Sequence, residues 1–178
     1  SVSLVVAWFG NDLRAGVCKV KPGVEVASKA TTPANWEVDG VSRASAHLVS
    51  RDAEDRPVYG GTPADFAVVQ AIQEMKARGL RVTFYPFLLM DVPPGNSLPN
   101  PYSNNASTPG QPSFPWRGRI TCSPAAGYAG TVDKTATAAT QVATFFGTAT
   151  PGQFSVLGES VSWTGPVGEW GLRRMILH

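Results

Sequence analysis

The sequence predicts an α/β fold of the (β/α)8, TIM-barrel-like class, with this chain covering about the first three strand–helix units and carrying long inserted loops. Three observations predict it. Leu80-Arg81-Val82-Thr83-Phe84-Tyr85-Pro86-Phe87-Leu88-Leu89-Met90 is an apolar run that ends in a carboxylate, Asp91. The stretch before it, Thr62 to Arg78, has a helical apolar stripe and is stopped by Gly79. After Asp91 the chain turns rich in Pro, Asn, Ser and Gly. Helix, glycine stop, buried strand, polar residue at the strand's C-terminal end and long loop form the unit from which such barrels build their working face.

Taken in order, Val2 to Phe9 is nearly continuous apolar and β-prone, the pattern of a strand buried on both faces. Gly10-Asn11-Asp12 ends it with turn chemistry. Val17 to Val26 suggests a short hairpin through Pro22-Gly23, and Trp36 to Val49 another with Asp39-Gly40 as its turn. In the helix from Thr62, Thr62 is a suitable N-cap, Pro63 suits the first helical position and Asp65 lies near the positive end of the dipole. Phe66, Val69, Ile72 and Met75 recur along one side. Gly95 to Trp116 carries five prolines among Asn and Ser and cannot build a core of its own. Arg117 to Thr121 suggests a short strand, and Thr131 to Phe146 a second helix capped by Thr131 and ended by Gly147. Phe154 to Leu157 reads as the third barrel strand, Gly158 to Gly168 as a loop, and Glu169 onward as a third helix. Residues 1–178 thus read as the N-terminal part of one domain with inserted loops at about 11–60 and 92–130. The chain opens without Met and ends in the rising apolar pattern Trp170, Leu172, Met175, Ile176, Leu177, which reads as a piece of a larger protein.

Composition narrows the function classes. The chain has 178 residues, 43% of them hydrophobic, which is enough for one core. A net charge of +2 with 16% charged residues argues against nucleic acid as a partner, because phosphate binding needs a concentrated basic face. No window approaches the roughly 18 apolar residues of a membrane span. Cys18 and Cys122 read as two unpaired thiols, with a disulfide left open. With only these cysteines and two histidines, His47 and His178, neither a zinc cluster nor any other metal or cofactor is expected.

Four stretches resemble a known family. Val5-Val6-Ala7-Trp8-Phe9-Gly10-Asn11-Asp12-Leu13-Arg14-Ala15-Gly16 is similar to the opening of the TIM-barrel-like domain of gene transfer agent and phage tail proteins, often labelled glycoside hydrolase/phage tail family proteins. Pro57 to Asp65, Phe84 to Pro93 and Pro115 to Thr121 extend the likeness. Arg173-Arg174-Met175-Ile176-Leu177-His178 looks like the start of the helix after the third strand. The resemblance implies a module of a large tail-tip or hub protein, assembled in the bacterial cytoplasm into a phage-like particle and meeting bacterial surface glycan among other tail or baseplate proteins. It implies a glycoside-hydrolase-like barrel that binds or cuts cell-wall or capsular polysaccharide, or one that kept the fold as a structural or receptor-binding module. It carries over no catalytic residue.

Hydrolysing a glycoside usually takes two carboxyl groups flanking the bond. Many glycosidase barrels place them on the fourth and seventh strands, so the pair is expected beyond His178 and these residues alone are expected to be inactive. Asp12 and Asp91 sit where the first two strands end; each either lines a sugar pocket or caps a turn, and turn chemistry is favoured for Asp12. Trp8 reads as core, whereas Tyr85 suits either the core or a sugar-stacking face. Trp116 beside Arg117 is the best binding candidate, a flat ring next to a planar guanidinium, although ion pairing suits Arg117 and Arg119 equally. Glu159 lies just past the third strand, near the working face or simply solvated. His47 has no Ser or Cys partner in a hydrolase motif, and Ser160 lacks the Gly-x-Ser-x-Gly elbow.

Overall fold

A computed structural model describes residues 1–105, 107–115 and 119–178. Its centre is a pair of nine-residue strands, β1 (Val2–Gly10) and β7 (Val82–Met90), which run parallel and pair in register along their whole length, Val2 against Val82 through Gly10 against Met90. Parallel neighbours need a crossover. α1 (Asp65–Ala77) supplies it, as the helix-then-strand pattern predicts. Gly79 ends that helix at φ +72, a conformation that favours glycine, with its N–H donated to Lys76 O.

The barrel expectation fails beyond this unit. Among the described residues the strands form one three-stranded sheet, ordered β2 (Val20–Lys21), β1, β7, and three two-stranded ones, with only three short α-helices. Among the described residues no ring of strands closes. The expected third barrel strand, β8 (Phe154–Leu157), does not join β7. It turns back through Gly158-Glu159 and pairs antiparallel with β9 (Ser160–Trp163), inside the stretch expected to be loop. Gly158, at φ +60, opens this two-residue turn, where a hairpin favours glycine. The pairing is local, and Ser160-Val161-Ser162-Trp163 alternates as a half-buried strand should.

The stretch between β1 and α1 holds five short strands. β2 (Val20–Lys21) adds antiparallel to the end of β1. β3 (Gly23–Val24) pairs parallel with β6 (His47–Leu48), so the hairpin expected through Pro22-Gly23 is absent. Gly23 is required here: a Cβ on it would lie 2.4 Å from the Phe9 ring. β4 (Glu37–Val38) and β5 (Val41–Ser42) do form the hairpin expected at Asp39-Gly40, both turn residues having positive φ, at +55 and +73.

Helix starts moved inward from their expected caps. Thr62 does not cap α1. Its hydroxyl donates to Ala7 O and accepts from Gly23 N–H, tying three segments together, and Ala64 takes the cap position. α2 (Ala136–Phe146) is capped by Thr135, which accepts from Ala138 N–H, rather than by Thr131. α3 (Leu172–Leu177) starts three residues after Glu169.

The core gathers beneath the C-terminal ends of β1 and β7, from Trp8, Leu13, Val20, Val24, Val38, Met90, Val92 and Met175. The strands are therefore not buried on both faces along their length. Their first halves stand open, with Val5 53% and Tyr85 52% exposed, while Phe9 and Met90 are fully covered. Cys18 is buried and, like Cys122, unpaired. Burial pushes the Cys18 thiol up to about 11.

One buried ion pair pins the C-terminal helix to this core. Arg174 Nε donates to Asp39 Oδ2 at 2.6 Å, its Nη1 donates to Glu169 O, and its guanidinium lies 3.7 Å from the Trp170 ring centre and 4.4 Å from that of Trp163. Burial pushes the Asp39 carboxyl up and the Arg174 guanidinium down, each against the pull of the other's charge. Arg174→Met leaves Asp39 buried and unpaired and is expected to cost about 3–5 kcal/mol in urea unfolding. The double variant Asp39→Asn/Arg174→Met is expected to recover most of that loss.

Candidate functional site

Because β1 and β7 are parallel, the loops that follow them leave from one end of the sheet and form a rim. Asp12 and Asp91 both lie there and are both buried, at 4% and 1% exposure.

Asp91 follows Met90, and its N–H donates to Gly10 O, extending the ladder one step past the strands. Its Oδ2 accepts from His47 at 2.6 Å and from the Ser50 N–H at 2.9 Å. Burial alone would raise this carboxyl. The hydrogen bonds from His47 and Ser50, with the His47 charge, outweigh it and hold Asp91 below the ordinary carboxylate range. The His47 ring stacks on Phe9 with centroids 5.6 Å apart, and Tyr59 leans on the other side of the cluster, 6.2 Å from Phe9. The pair joins β6 to the exit of β7 across 44 residues of sequence.

Asp12 serves a second junction. Its carboxylate accepts from the Arg14 N–H and from two guanidinium nitrogens of Arg14, the shortest at 2.6 Å. Gln111, from the Pro-rich loop, donates to the same carboxylate at 2.8 Å and to Pro99 O. Gln111 Oε1 accepts from Leu13 N–H. Asp12 is thus a turn cap and a loop anchor together, and its oxygens are engaged inside the protein.

The other candidates lie elsewhere. Tyr85 is on the sheet face opposite Trp8, since residues alternate and Val5, Tyr85's register partner, faces away from Val6 and Trp8. It stands half exposed with Phe87 beside it, ring centres 6.1 Å apart. Trp8 is core, as expected. Glu159 sits at the tip of the β8–β9 turn and accepts from Gln70 on α1 at 2.8 Å, which puts it against the helix rather than at the rim. Trp116 and Arg117 lie outside the described residues. Glu169 precedes α3 and accepts from Gly171 N–H and the Thr148 hydroxyl.

Sequence reading missed His47, Ser50 and Gln111. None sits in a motif, and each meets its carboxylate from a distant loop, so no local spacing could have signalled it. Among the described residues no group of three or more His, Cys, Asp or Glu is arranged to hold a metal, and no helix is long and apolar enough to cross a membrane.

No protein-family model matches this chain, and no curated protein matches it.

Asp91 has a measurable acid signature. A carboxyl held below its unfolded value near ~3.9 stabilises the fold above that pH and loses the contribution as pH falls through its folded value. The stability gap between the native chain and Asp91→Asn, followed by urea unfolding, is expected to be widest at about pH 5–7 and to narrow below about pH 4. A gap that widens with acid would contradict the assignment.

Proposed function

We propose that this chain is a glycan-directed module of a phage-like tail-tip protein, and that the residues described here grip bacterial surface polysaccharide rather than cut it. The observation that carries the binding part is the disposition of the rim carboxylates. Hydrolysis of a glycoside needs two carboxyl groups free to face the bond. Asp12 is engaged by Arg14 and Gln111, and Asp91 through its Oδ2 by His47 and Ser50, both carboxylates lying beneath the surface. What stands open instead is flat and aromatic: the half-exposed Tyr85 with the partly buried Phe87 beside it, the kind of face on which a sugar ring stacks.

The tail-tip assignment rests on the sequence resemblance, and the packing is consistent with those stretches acting as one unit. Thr62 reaches Ala7, Asp91 reaches Gly10, and His178 reaches Asp65. Segments that resemble one family in sequence therefore touch in space. The barrel that the family likeness implied is not part of the proposal.

The test is retention on cell-wall and capsular polysaccharides. Tyr85→Ala is expected to weaken binding about tenfold, near the upper end of the ~0.5–1.5 kcal/mol of one aromatic contact. Trp116→Ala and Arg117→Ala, chosen on sequence alone, are expected to weaken it too. No reducing sugar should be released on incubation. Unchanged binding in all three variants would remove the aromatic face from the proposal, and sugar release lost on Asp91→Asn would replace binding by hydrolysis.

A further inference from the structure

A concavity lies past the end of β1, on the Pro-rich loop. It has a volume of about 260 Å³ and is walled by Leu13, Tyr102, Pro112, Phe114, Pro115 and Arg119. Small-molecule pockets begin at about 300 Å³, so this one suits a single ring-sized group rather than a long ligand. The walls are two aromatic rings and two prolines over a fully buried leucine. Among the described residues, the one charge on them is the Arg119 guanidinium.

The cavity is held in shape from several sides. The Tyr102 hydroxyl donates to Arg119 O at 2.9 Å, and the Tyr102 ring meets Tyr128 edge-on with centres 6.0 Å apart. Phe114 N–H donates to Val92 O at 2.9 Å, which ties the wall to the strand-end core. Phe114 itself has φ +50, a conformation that a bulky residue rarely adopts. Gln111, one residue before Pro112, is bonded into the Asp12 junction.

The charge is uncommitted. Arg14, Arg43, Arg51, Arg56, Arg78 and Arg174 each hold a carboxylate. Arg119 holds none among the described residues and is exposed. Asp12, next to Leu13 in sequence, is already neutralised by Arg14. A guanidinium beside aromatic faces binds a planar anion through its fork while the rings take an apolar face.

We infer that this cavity is a subsite for a carboxylate-bearing sugar residue, its ring against Tyr102 and Phe114 and its carboxylate on Arg119. The inference rests on the glycan-binding reading above and specifies its ligand class as acidic polysaccharide.

The experiment is affinity electrophoresis of the native chain through gels containing polygalacturonate, alginate, polysialic acid or neutral dextran. Three variants accompany it: Arg119→Gln, Arg119→Lys and Phe114→Gly, the last removing the ring while leaving a residue that tolerates positive φ. Circular dichroism melts identify any variant that fails to fold. The expected result is retardation by at least one acidic polymer over dextran, about tenfold weaker in Arg119→Gln and Phe114→Gly, with a smaller loss in Arg119→Lys. Equal retardation by acidic and neutral polymers, unaltered in folded Arg119→Gln, overturns the subsite and leaves the glycan-binding reading standing. No retardation of the native chain by any polymer overturns both.

Discussion

The structure depends on the in-register parallel pairing of Val2–Gly10 with Val82–Met90. A parallel pair cannot be joined by a tight turn, so α1 must lie between the strands, and both following loops must start from the same end. Everything else is arranged around that end. The apolar side chains that the two loops bring back, from Leu13, Val24, Val38 and Val92, find their partners in the last residues of the strands rather than along their length. That places the core under the rim and leaves the opening halves of both strands partly bare.

Loops of this length need more than apolar contact to keep one shape, since ordering each residue costs roughly 1–2 kcal/mol of backbone entropy. Four buried carboxylates meet that need. Asp12 ties the Pro-rich loop to the exit of β1, and Asp91 ties the β6 segment to the exit of β7. Asp39 ties the β4–β5 hairpin to α3, and Asp65 accepts from Asp39 N–H and Val161 N–H, joining the two hairpins to α1. A buried carboxylate tolerates few alternatives to its own partners, because losing them leaves it with no hydrogen bond; Asp39 and Asp91 each hold theirs through Oδ2 alone. These groups specify which loop meets which, more than they add to total stability.

That division of labour shapes the functional reading. Carboxylates engaged as structural junctions are poorly placed to act on substrate, whereas the half-exposed Tyr85 and Arg119, which has no carboxylate partner among the described residues, remain available to solvent. Recognition of a polymer by flat faces and one charge needs no deep catalytic cleft, and it suits a surface dominated by exposed loops.

Local chemistry determined the parts that depend on nearest neighbours. The two long strands, the helix between them, its glycine stop, the Asp39-Gly40 hairpin and the buried place of Trp8 were all legible. Each follows from periodicity or from a backbone conformation that few residues adopt. Tertiary structure alone decided the rest. Phe154–Leu157 has the composition of a barrel strand, and only the competition between β7 and the adjacent Ser160–Trp163 settled its partner; the near neighbour, with almost no loop to close, prevailed. Asp12 and Asp91 were visible as strand-end carboxylates. Their partners were not, because Gln111 is 99 residues from Asp12 and His47 is 44 from Asp91. A hydrogen bond across such a separation leaves no spacing in the sequence, and it exists only once the chain has brought both loops to one end of the sheet.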